Sequence, residues 1–465
     1  GATLMMYGTN QSSDDTVITA HQVTESWMDK HLIHTTEPAA EEAVLDYATV
    51  SSSQPTALTW DITKAVAEWK ANSSFNFGIK LQVSNQSASG KAELYTSEYT
   101  DAQYRPVFQI EYRETSGKPA QYDYHTQSVG RAGEVSVNDY TRGIYIARDE
   151  IGIDGNIMPV SIRRYFSDAN VNALELMVGS TFSPYGNRWL TNYNRLISYN
   201  GNDADGNERY RYLDEDGTVR YYIASGEPAE NGRVKWIEEC PMGVGDTGSA
   251  LWLPESLTDK ADYTKLELEN AQGQKLTFDA RGRLVKITDD TPNANHITVV
   301  YDGASLIKIN KIVDGVGREY RFVYDTQQAS QALLTAIECY AADGTAITVS
   351  DETGAEIPLK MTYTYSKNLL IYRLASAVYP DGETATYEYN ALMLPSAVNN
   401  IDGYRMEYEY DGAGRVSKMT EKAKDPETGG YVTGNVVTVT SQGIYQTTFA
   451  DNWGNTEVKH FDRYG

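Results

Sequence analysis

The sequence predicts an all-β protein, because a motif typical of β-hairpins returns along its second half. The motif is an aromatic residue followed by Asp, with Gly four positions after the aromatic. Three aromatic positions, 278, 301 and 324, follow one another at intervals of 23 residues. One unit is therefore two short strands and two turns. The residues of this repeat signature are Phe278, Asp279, Gly282, Tyr301, Asp302, Gly303, Tyr324, Asp325, Tyr410, Asp411, Gly414, Phe461, Asp462 and Gly465.

Alternation within the repeats predicts which face of each strand is buried. In residues 404–410 the even positions are Tyr or Met, and the odd positions are Arg or Glu. Successive side chains of a strand point to opposite faces, so the aromatic side chains share one face. A register slip of one residue would cost each aromatic roughly 1.5–3 kcal/mol of burial. The register is therefore strongly specified.

A second turn signal lies between the aromatic motifs. It is an Asp-Gly dipeptide, at 314–315, 381–382 and 402–403. Asp-Gly supplies the positive φ that tight hairpin turns need. We therefore expect hairpins laid end to end in one extended sheet.

Tyrosine is unusually frequent, with 35 Tyr against 9 Phe. A Tyr ring can stack across strands, but its hydroxyl needs water or a hydrogen-bond partner. This excess predicts a sheet with hydrated faces instead of a dry core. The alternative is that Tyr serves only as a common strand former.

Length, charge and cysteine content limit the class of protein. A chain of 465 residues predicts two or three domains. With 64 acidic and 40 basic residues the net charge is -24, which disfavours nucleic acid or an anionic membrane as partner.

Cys240 and Cys339 are either two free thiols or one long-range bridge. There is no apolar run for membrane insertion, and the chain, which starts at Gly1 and ends inside a repeat, is interpreted as a fragment.

Composition and periodicity divide the sequence into four segments. Residues 1–113 combine strand-like alternation with one short helix near 60–69, which Asp61 can cap. Residues 114–134 are polar and turn-rich and are predicted to be a linker. Residues 135–260 are β with weaker periodicity, and residues 261–465 hold the repeats.

The first segment resembles the DNRLRE family. The resemblance rests on residues 58–63 (LTWDIT), 68–69 (EW), 76–79 (NFGI), 96–98 (TSE) and 105–112. It implies a jelly-roll-like β-sandwich module of secreted proteins, related to carbohydrate-binding modules. We expect this copy to be truncated at its N-terminus.

The rest of the chain resembles the YD repeats of Rhs, wall-associated and teneurin-type proteins. Besides the repeats themselves, 164–167 (RYFS) and 185–193 (YGNRWLTNY) are similar to the region that begins an Rhs core. The resemblance implies a β-sheet that spirals into a shell, here a partial one. In bacterial members of that family the shell encloses a C-terminal toxin.

The sequence presents no catalytic constellation. His31 and His34 lack further metal ligands. Residues 203–206 (DADG) resemble the middle of a calcium loop, but they and the acidic run 214–216 are more typical of Asp-rich turns. Trp27, Trp60 and Trp69 are candidates for stacking on sugar rings, although Trp69 lies on the apolar stripe of the predicted helix. We expect no catalytic residue, no cofactor and no metal.

The leading hypothesis is a structural fragment of a secreted or surface bacterial protein. It would wall a cavity for its own C-terminal cargo, a toxin, with no nucleic-acid partner and no membrane insertion. The alternative is an adhesin or anchor that binds cell-wall polysaccharide through residues 1–113. A third hypothesis, a glycan-processing enzyme, requires two facing carboxylates in a cleft.

Overall fold

The structure is a computed structural model, and it confirms the all-β class. The residues it describes contain many short strands and two α-helices of nine residues each. They form two compact units. Unit 1 is Gly1–Arg113 with Thr440–Thr448 and Val458–Gly465, and unit 2 is Glu114–Val439 with Phe449–Glu457. The described residues are 1–12, 14–27, 37–71, 76–84, 91–110, 116–180, 182–202, 206–239, 248–325, 331–351, 353–441, 446–462 and 465.

The first 113 residues of unit 1 contain two facing antiparallel sheets. In one sheet β4 pairs with one side of β1, and β6 and β7 pair with the other side; the second sheet has the order β3-β2-β5. Apolar residues of both sheets meet in one core around the buried Trp60, whose indole N–H donates to the Ile18 carbonyl at 2.9 Å. The elements are β1 (Ala2–Asn10), β2 (Thr16–Gln22), β3 (Asp46–Val50), β4 (Thr56–Asp61), α1 (Thr63–Ala71), β5 (Ile79–Val83), β6 (Ala92–Leu94) and β7 (Val107–Ile110).

The start of helix α1 follows from its sequence. The Asp61 carboxylate accepts the Thr63 backbone N–H at 2.9 Å, which satisfies one of the free donors of the first turn. Ile62 is buried and Val66 packs against the same core. The predicted cap is confirmed, although the helix begins three residues later than the predicted segment.

Unit 2 begins with a five-stranded antiparallel sheet, called here the inner sheet, in the order β12-β11-β10-β9-β8. The predicted linker 114–134 is wrong for its described part. Val129 and Ala132 are fully buried, and β8 pairs with β9 along five residues. The polar sequence gave the wrong prediction because every side chain of β8 is half-buried or exposed and none is fully buried. The elements are β8 (Tyr124–Ser128), β9 (Glu134–Asn138), β10 (Ile144–Gly152), β11 (Ser161–Ser167), α2 (Asn170–Val178) and β12 (Trp189–Thr191).

A second antiparallel sheet, called here the long sheet, has 21 strands in chain order. It runs from β13 to β35 and omits only β25 and β26, which pair with each other. It begins within the predicted segment 135–260, before the predicted start of the repeats at residue 261. Its strands and the small pair are β13 (Leu196–Asn202), β14 (Glu208–Leu213), β15 (Val219–Ala224), β16 (Arg233–Glu238), β17 (Ala250–Pro254), β18 (Glu267–Glu269), β19 (Lys275–Phe278), β20 (Leu284–Thr288), β21 (His296–Tyr301), β22 (Ile309–Val313), β23 (Glu319–Tyr324), β24 (Leu334–Tyr340), β25 (Thr348–Ser350), β26 (Glu356–Pro358), β27 (Lys360–Asn368), β28 (Ile371–Val378), β29 (Thr384–Tyr389), β30 (Pro395–Asn399), β31 (Tyr404–Tyr410), β32 (Val416–Lys424), β33 (Tyr431–Ser441), β34 (Gln446–Asp451) and β35 (Thr456–His460).

The long sheet coils back on its first strand. The Ile197 N–H donates to the Gly282 carbonyl at 2.8 Å, and the Leu284 N–H donates to the Arg195 carbonyl at 3.0 Å. These bonds join the start of β13 to the turn between β19 and β20. Contact with a turn six strands further along requires strong curvature, so this part of the sheet is a coil and not a flat ribbon.

The inner sheet packs against the long sheet to form one hydrophobic core. Tyr185 bonds to the Ile307 carbonyl at 2.6 Å, and Arg142 pairs with Asp411 at 2.9 Å. The alternation predicted for 404–410 is confirmed, since Met406 and Tyr408 are buried in this core. One face of the long sheet is thus covered by the inner sheet of the same chain.

Candidate functional site

The aromatic residues of the repeat signature lie at strand ends, all along one side of the long sheet. Positions 278, 301, 324, 389 and 410 each end a strand, namely β19, β21, β23, β29 and β31. Strands alternate in direction in an antiparallel sheet, and β27 follows β24 directly, so the alternation is unbroken. These five strands therefore run in the same direction and end on the same side of the sheet. The motif therefore recurs at the ends of five strands that run in the same direction.

Each of these aromatics also lies at a β-bulge. The pairing register shifts by one residue at positions 277/278, 300/301, 323/324, 388/389 and 409/410. Tyr410, for example, pairs with Val416, whereas Glu409 pairs with Lys418. A bulge bends its strand and increases the local twist. Bulges that recur at the same end of successive strands give a physical reason for the coiling of the sheet.

The Asp of the motif organises a five-residue turn. The Asp411 backbone N–H donates to the Arg415 carbonyl at 2.9 Å, and the Gly414 N–H donates to the Asp411 carbonyl at 3.0 Å. The Asp411 carboxylate accepts the N–H groups of Ala413 and Arg415 and pairs with the Arg415 guanidinium. Gly414 has φ +79°, the left-handed conformation that closes such a turn.

The same turn recurs in other copies. Asp279 and Gly282 reproduce it, with φ +76° at Gly282. At Tyr389 the turn uses Asn390 as its first residue and Met393, at φ +63°, as its fourth. The motif is thus a backbone geometry that tolerates substitution at its ends.

The looser copies form different turns. Asp302 and Gly303 belong to a longer turn, in which the Asp302 N–H donates to the Lys308 carbonyl at 2.8 Å. The Asp325 N–H donates to the Leu333 carbonyl at 2.9 Å, and residues 326–330 lie outside the described part.

The last copy of the motif is described only in part. Phe461 is half-buried and Asp462 is exposed. Gly465 has φ +87°, and its N–H donates to the Asp462 carbonyl at 3.2 Å. The bond from Gly to Asp is therefore the same as in the turns at Asp279 and Asp411.

The predicted Asp-Gly dipeptides do lie in turns, but the Gly of the dipeptide does not always adopt the predicted positive φ. Gly382 and Gly403 adopt positive φ. In the turn that begins at Asp314, however, the positive φ belongs to Gly317, at +87°, and not to Gly315. The left-handed residue must be the fourth of the turn, and Gly315 is only the second. Close approach instead explains Gly315, because an added Cβ would lie 2.5 Å from the Ile157 carbonyl oxygen.

Two motif tyrosines, Tyr324 and Tyr410, bond to the preceding repeat. The Tyr324 hydroxyl donates to the Ile309 carbonyl at 2.7 Å, and Ile309 pairs with Tyr301 of the preceding repeat. The Tyr410 hydroxyl likewise donates to the Pro395 carbonyl at 2.6 Å, and Pro395 pairs with Tyr389. Phe cannot make this bond. A ladder of hydroxyl bonds thus accounts for Tyr at positions 324 and 410.

The predicted hydrated face is therefore wrong for the motif side of the sheet. Tyr324, Tyr389 and Tyr410 pack against the apolar core, and their hydroxyls bond to protein groups. Burial raises the pKa of Tyr365 and of Tyr387 to about 12. A buried hydroxyl can be satisfied by a carbonyl as well as by water, and composition does not distinguish the two.

Tyr410→Phe tests the ladder. The variant is expected to lose about 0.5–1.5 kcal/mol of unfolding free energy, because the Pro395 carbonyl loses its hydroxyl donor. Urea unfolding followed by hydrogen exchange of the β30 and β31 amides measures the loss. Tyr431→Phe, at a residue 47% exposed, is the control and is expected to be neutral. Equal stability of the two variants would contradict the ladder.

A charged cluster lies in the core between the inner sheet and the long sheet. Glu150 pairs with Arg164 at 3.0 Å and with Arg148 at 3.3 Å, and all three side chains are fully buried. Tyr363 donates to the Glu150 carboxylate at 2.8 Å, and Arg148 donates to the Tyr387 hydroxyl at 3.1 Å. Burial lowers the pKa of Arg148, but Glu150 and the neighbouring tyrosines together outweigh burial and raise this pKa. The cluster joins β10 and β11 to β27 and β29.

His125 joins β8 to the last described strands of unit 2. Its Nδ1 lies 2.7 Å from the buried Asp139 carboxylate, its Nε2 lies 3.3 Å from Glu457, and its ring stacks on Phe449 with 3.6 Å between centroids. Burial lowers the pKa of His125, but the hydrogen bond and charge of Asp139, together with Glu457, raise it above its ordinary value of 6.5.

The stability of unit 2 is expected to depend on pH through His125. Since the folded pKa is raised, its contribution is complete below about pH 6.5 and is lost as pH rises through the folded pKa. Urea unfolding at about pH 5.5 and about pH 8.5 should show lower stability at the higher pH. His125→Asn should reduce this difference, whereas His296→Asn, at an exposed histidine, should leave it unchanged. An undiminished difference in His125→Asn would refute this role.

Two sequence candidates for chemistry are accounted for by the structure, and others are not described. Asp214 begins a five-residue turn, its carboxylate accepts the Asp216 N–H, and burial together with Asp214 raises the Asp216 pKa. Cys339 is a buried free thiol. His31, His34 and Cys240 lie outside the described residues. Within the described part, no three or more His, Cys, Asp or Glu side chains are placed to hold a metal ion.

The three candidate tryptophans of unit 1 differ in exposure. Trp60 is in the core and Trp69 is half-buried. Trp27 is 46% exposed, and its indole N–H is fixed to the Phe77 carbonyl at 2.6 Å. Trp27 alone of the three therefore offers an open ring.

A tyrosine cluster in unit 1 was missed by sequence reasoning. Tyr95 and Tyr99 stack with centroids 4.0 Å apart, and Tyr104 lies edge-on to Tyr7 at 5.1 Å. Tyr104 also contacts both stacked rings at just over 6 Å. The signal was the spacing of three tyrosines over ten residues, but only strand pairing brings Tyr7 to them. All four rings are half-buried, so the cluster lies at the surface.

Comparison with known proteins identifies the class of the first domain. Residues 1–112 match the model of carbohydrate-binding module family 96. This agrees with the expected relation to carbohydrate-binding modules, which are often extracellular or surface-associated. A search of curated proteins found no match to the chain.

Among solved structures, one described as "Crystal Structure of TcdB2-TccC3-TEV" is similar at 9% sequence identity and a TM-score of 0.15. The similarity covers 81% of this chain and 30% of that chain. The assignment of residues 135–465 to Rhs and YD-repeat proteins stays a prediction. As for membranes, no described helix combines the length and the apolar character needed to cross a bilayer.

Proposed function

We propose that this protein binds a polysaccharide through residues 1–112. The observation that carries the proposal is the family-model match over those residues. The exposed Trp27 and the surface tyrosine cluster supply the aromatic rings on which sugars stack. Such a module fits a protein that is extracellular or attached to a cell wall.

The test uses the full chain on an array of plant, bacterial and algal polysaccharides. We expect retention on at least one of them, with competition by the same polysaccharide in soluble form. Absence of retention on every polysaccharide would contradict the proposal.

A second function is favoured by the strict chain order of the long sheet and its coiling on β13. We propose that unit 2 is a structural wall that shields a cargo encoded beyond the present residues, such as a toxin. The inner sheet already occupies the space against many long-sheet strands. The cargo would therefore need space that the described strands do not provide.

Protease protection tests the wall. The chain is expressed together with the sequence that its gene encodes beyond residue 465. The added segment is expected to resist trypsin until the wall is unfolded with urea, and its immediate digestion in the native protein would contradict the wall. We also propose that neither unit is catalytic, and hydrolysis of array polysaccharides above the level of heat-denatured protein would refute that.

A further inference from the structure

We infer that a hairpin arm of unit 2, residues 366–373, inserts its tip into the surface of an anionic lipid membrane. The tip is the two-residue loop between β27 and β28, formed by Leu369 and Leu370. These side chains are 85% and 75% exposed. Such exposed apolar groups are stabilised only when another surface removes them from water. The inference does not depend on either proposed function.

The arm grows out of a further copy of the aromatic repeat. The pairing register shifts by one residue at 364/365, as it does at the motif aromatics. The Tyr365 hydroxyl donates to the Leu334 carbonyl at 2.8 Å, and Leu334 is opposite Tyr324 of the preceding repeat. Tyr365 thus occupies the position of a motif aromatic, although Ser366 follows it in place of Asp.

The arm extends beyond the side of the sheet on which the motif turns lie. After Tyr365 there is no five-residue turn, and three further residue pairs follow, the last being Asn368 with Ile371. At about 3.3 Å per residue, the tip stands about 10 Å beyond the bulge. The Asn187 N–H donates to the Tyr372 carbonyl at 2.7 Å, and this bond holds the arm in place.

The backbone of the tip is unfavourable for the residues that it carries. Leu369 has φ +54°, a left-handed conformation for which two-residue hairpin loops favour Gly. A Gly at this position would close the hairpin with less strain and would expose no apolar side chain. A residue that suits neither its backbone nor its solvent indicates a contact with something else.

The charge of the arm favours an anionic partner. Residues 357–380 contain no Asp or Glu, in a chain with 64 acidic residues. The arm carries two cations, Lys367 and Arg373, and the Lys367 ammonium lies 5.0 Å from the centre of the Tyr372 ring. The whole-chain charge of -24 disfavours an anionic membrane, but salt screens exposed charges beyond about 8 Å. The positive charge of the arm therefore dominates at the tip.

The order of side chains along the arm matches the layers of a membrane surface. The leucines are outermost, and Lys367 and Arg373 lie about 7 and 10 Å behind them. A tip that enters the outer 5–10 Å or so of a bilayer brings both cations to the lipid headgroups. Tyr372 is opposite Lys367, at the depth that Tyr side chains favour. Lipid also accepts a convex tip without a preformed pocket, which a protein partner would need.

Flotation of the full chain with vesicles tests the arm. The vesicles contain phosphatidylcholine alone or phosphatidylcholine with an equal part of phosphatidylglycerol. The tip variant combines Leu369→Gly with Leu370→Asn, a pair that suits a two-residue turn, so the hairpin is retained. We expect the original chain to bind the mixed vesicles and the tip variant to bind at least about tenfold more weakly. Leu392→Asn, at a leucine 52% exposed in the turn after β29, is the matched control and should bind like the original chain.

Lys367→Gln tests the anionic ligand class. Loss of one cation near the headgroups should weaken binding to the mixed vesicles about fivefold. Added salt should weaken binding of the original chain, because it screens the same attraction. Thermal unfolding should confirm that every variant folds.

Several outcomes would overturn the inference. Equal binding of the original chain and the tip variant would mean that the arm does not make the contact. Equal binding to the two kinds of vesicle would contradict the anionic ligand class. Absence of flotation would exclude a lipid partner. Self-association of the original chain in light scattering, lost in the tip variant, would then assign the tip to a second copy of the chain.

Discussion

Replacing Glu150 with Gln is expected to lower the unfolding free energy of unit 2 by about 3–5 kcal/mol, the largest effect of any single polar substitution that we expect. Gln keeps the size of the side chain but removes its charge. Arg148 and Arg164 would then remain fully buried with no anion beside them. The Tyr363 hydroxyl would also lose a charged acceptor. Urea unfolding monitored by hydrogen exchange of the β10 and β11 amides reports on this unit.

Asp149→Asn is the matched control, because it makes the same chemical change one residue away. Asp149 pairs with Arg163 at 2.8 Å, but the two side chains are 70% and 54% exposed. Exposed ion pairs contribute about 0–1 kcal/mol, since water and salt screen the charges. A loss in Glu150→Gln no greater than that in Asp149→Asn would mean that the buried cluster does not hold the two sheets together.

The sequence predicted the long sheet well because its signals are local. Alternation over 404–410 is a property of neighbouring residues, and burial of Met406 and Tyr408 agrees with it. The five-residue turns are likewise local, since one Asp carboxylate and one Gly define them. The bulges were missed because a shifted register depends on two strands together. The motif aromatic is recognised as the bulge position only once the strand pairing is known.

The sequence failed where the structure depends on distant residues. Residues 124–132 are polar and turn-rich, and only packing against the long sheet makes Val129 and Ala132 buried. The excess of Tyr similarly had two explanations, water or main-chain carbonyls, and the partner of Tyr324 lies on the neighbouring strand. In unit 1, Tyr7 reaches Tyr104 only because β1 pairs with strands that are distant in sequence. Candidate binding surfaces of this kind are not visible before register is known.

Gly282→Ala is expected to destabilise unit 2 by more than any other glycine substitution in the aromatic motif. Its φ of +76° disfavours any Cβ by about 1–2 kcal/mol. The added Cβ would also lie 2.0 Å from the Ile197 carbonyl oxygen, so the turn and β13 must separate. Overpacking of this kind costs about 1–3 kcal/mol more, and a total of about 2–5 kcal/mol follows.

Gly273→Ala is the control for Gly282→Ala, because it carries the conformational cost without the steric clash. Gly273 has φ +75° in a turn of the same type, but an added Cβ would meet nothing within 4 Å. It should therefore lose only the conformational 1–2 kcal/mol or so. The difference between the two variants measures the contact that coils the sheet onto its first strand. Hydrogen exchange of the Ile197 amide should accelerate in Gly282→Ala alone, and equal losses in both variants would mean that the coil does not depend on this contact.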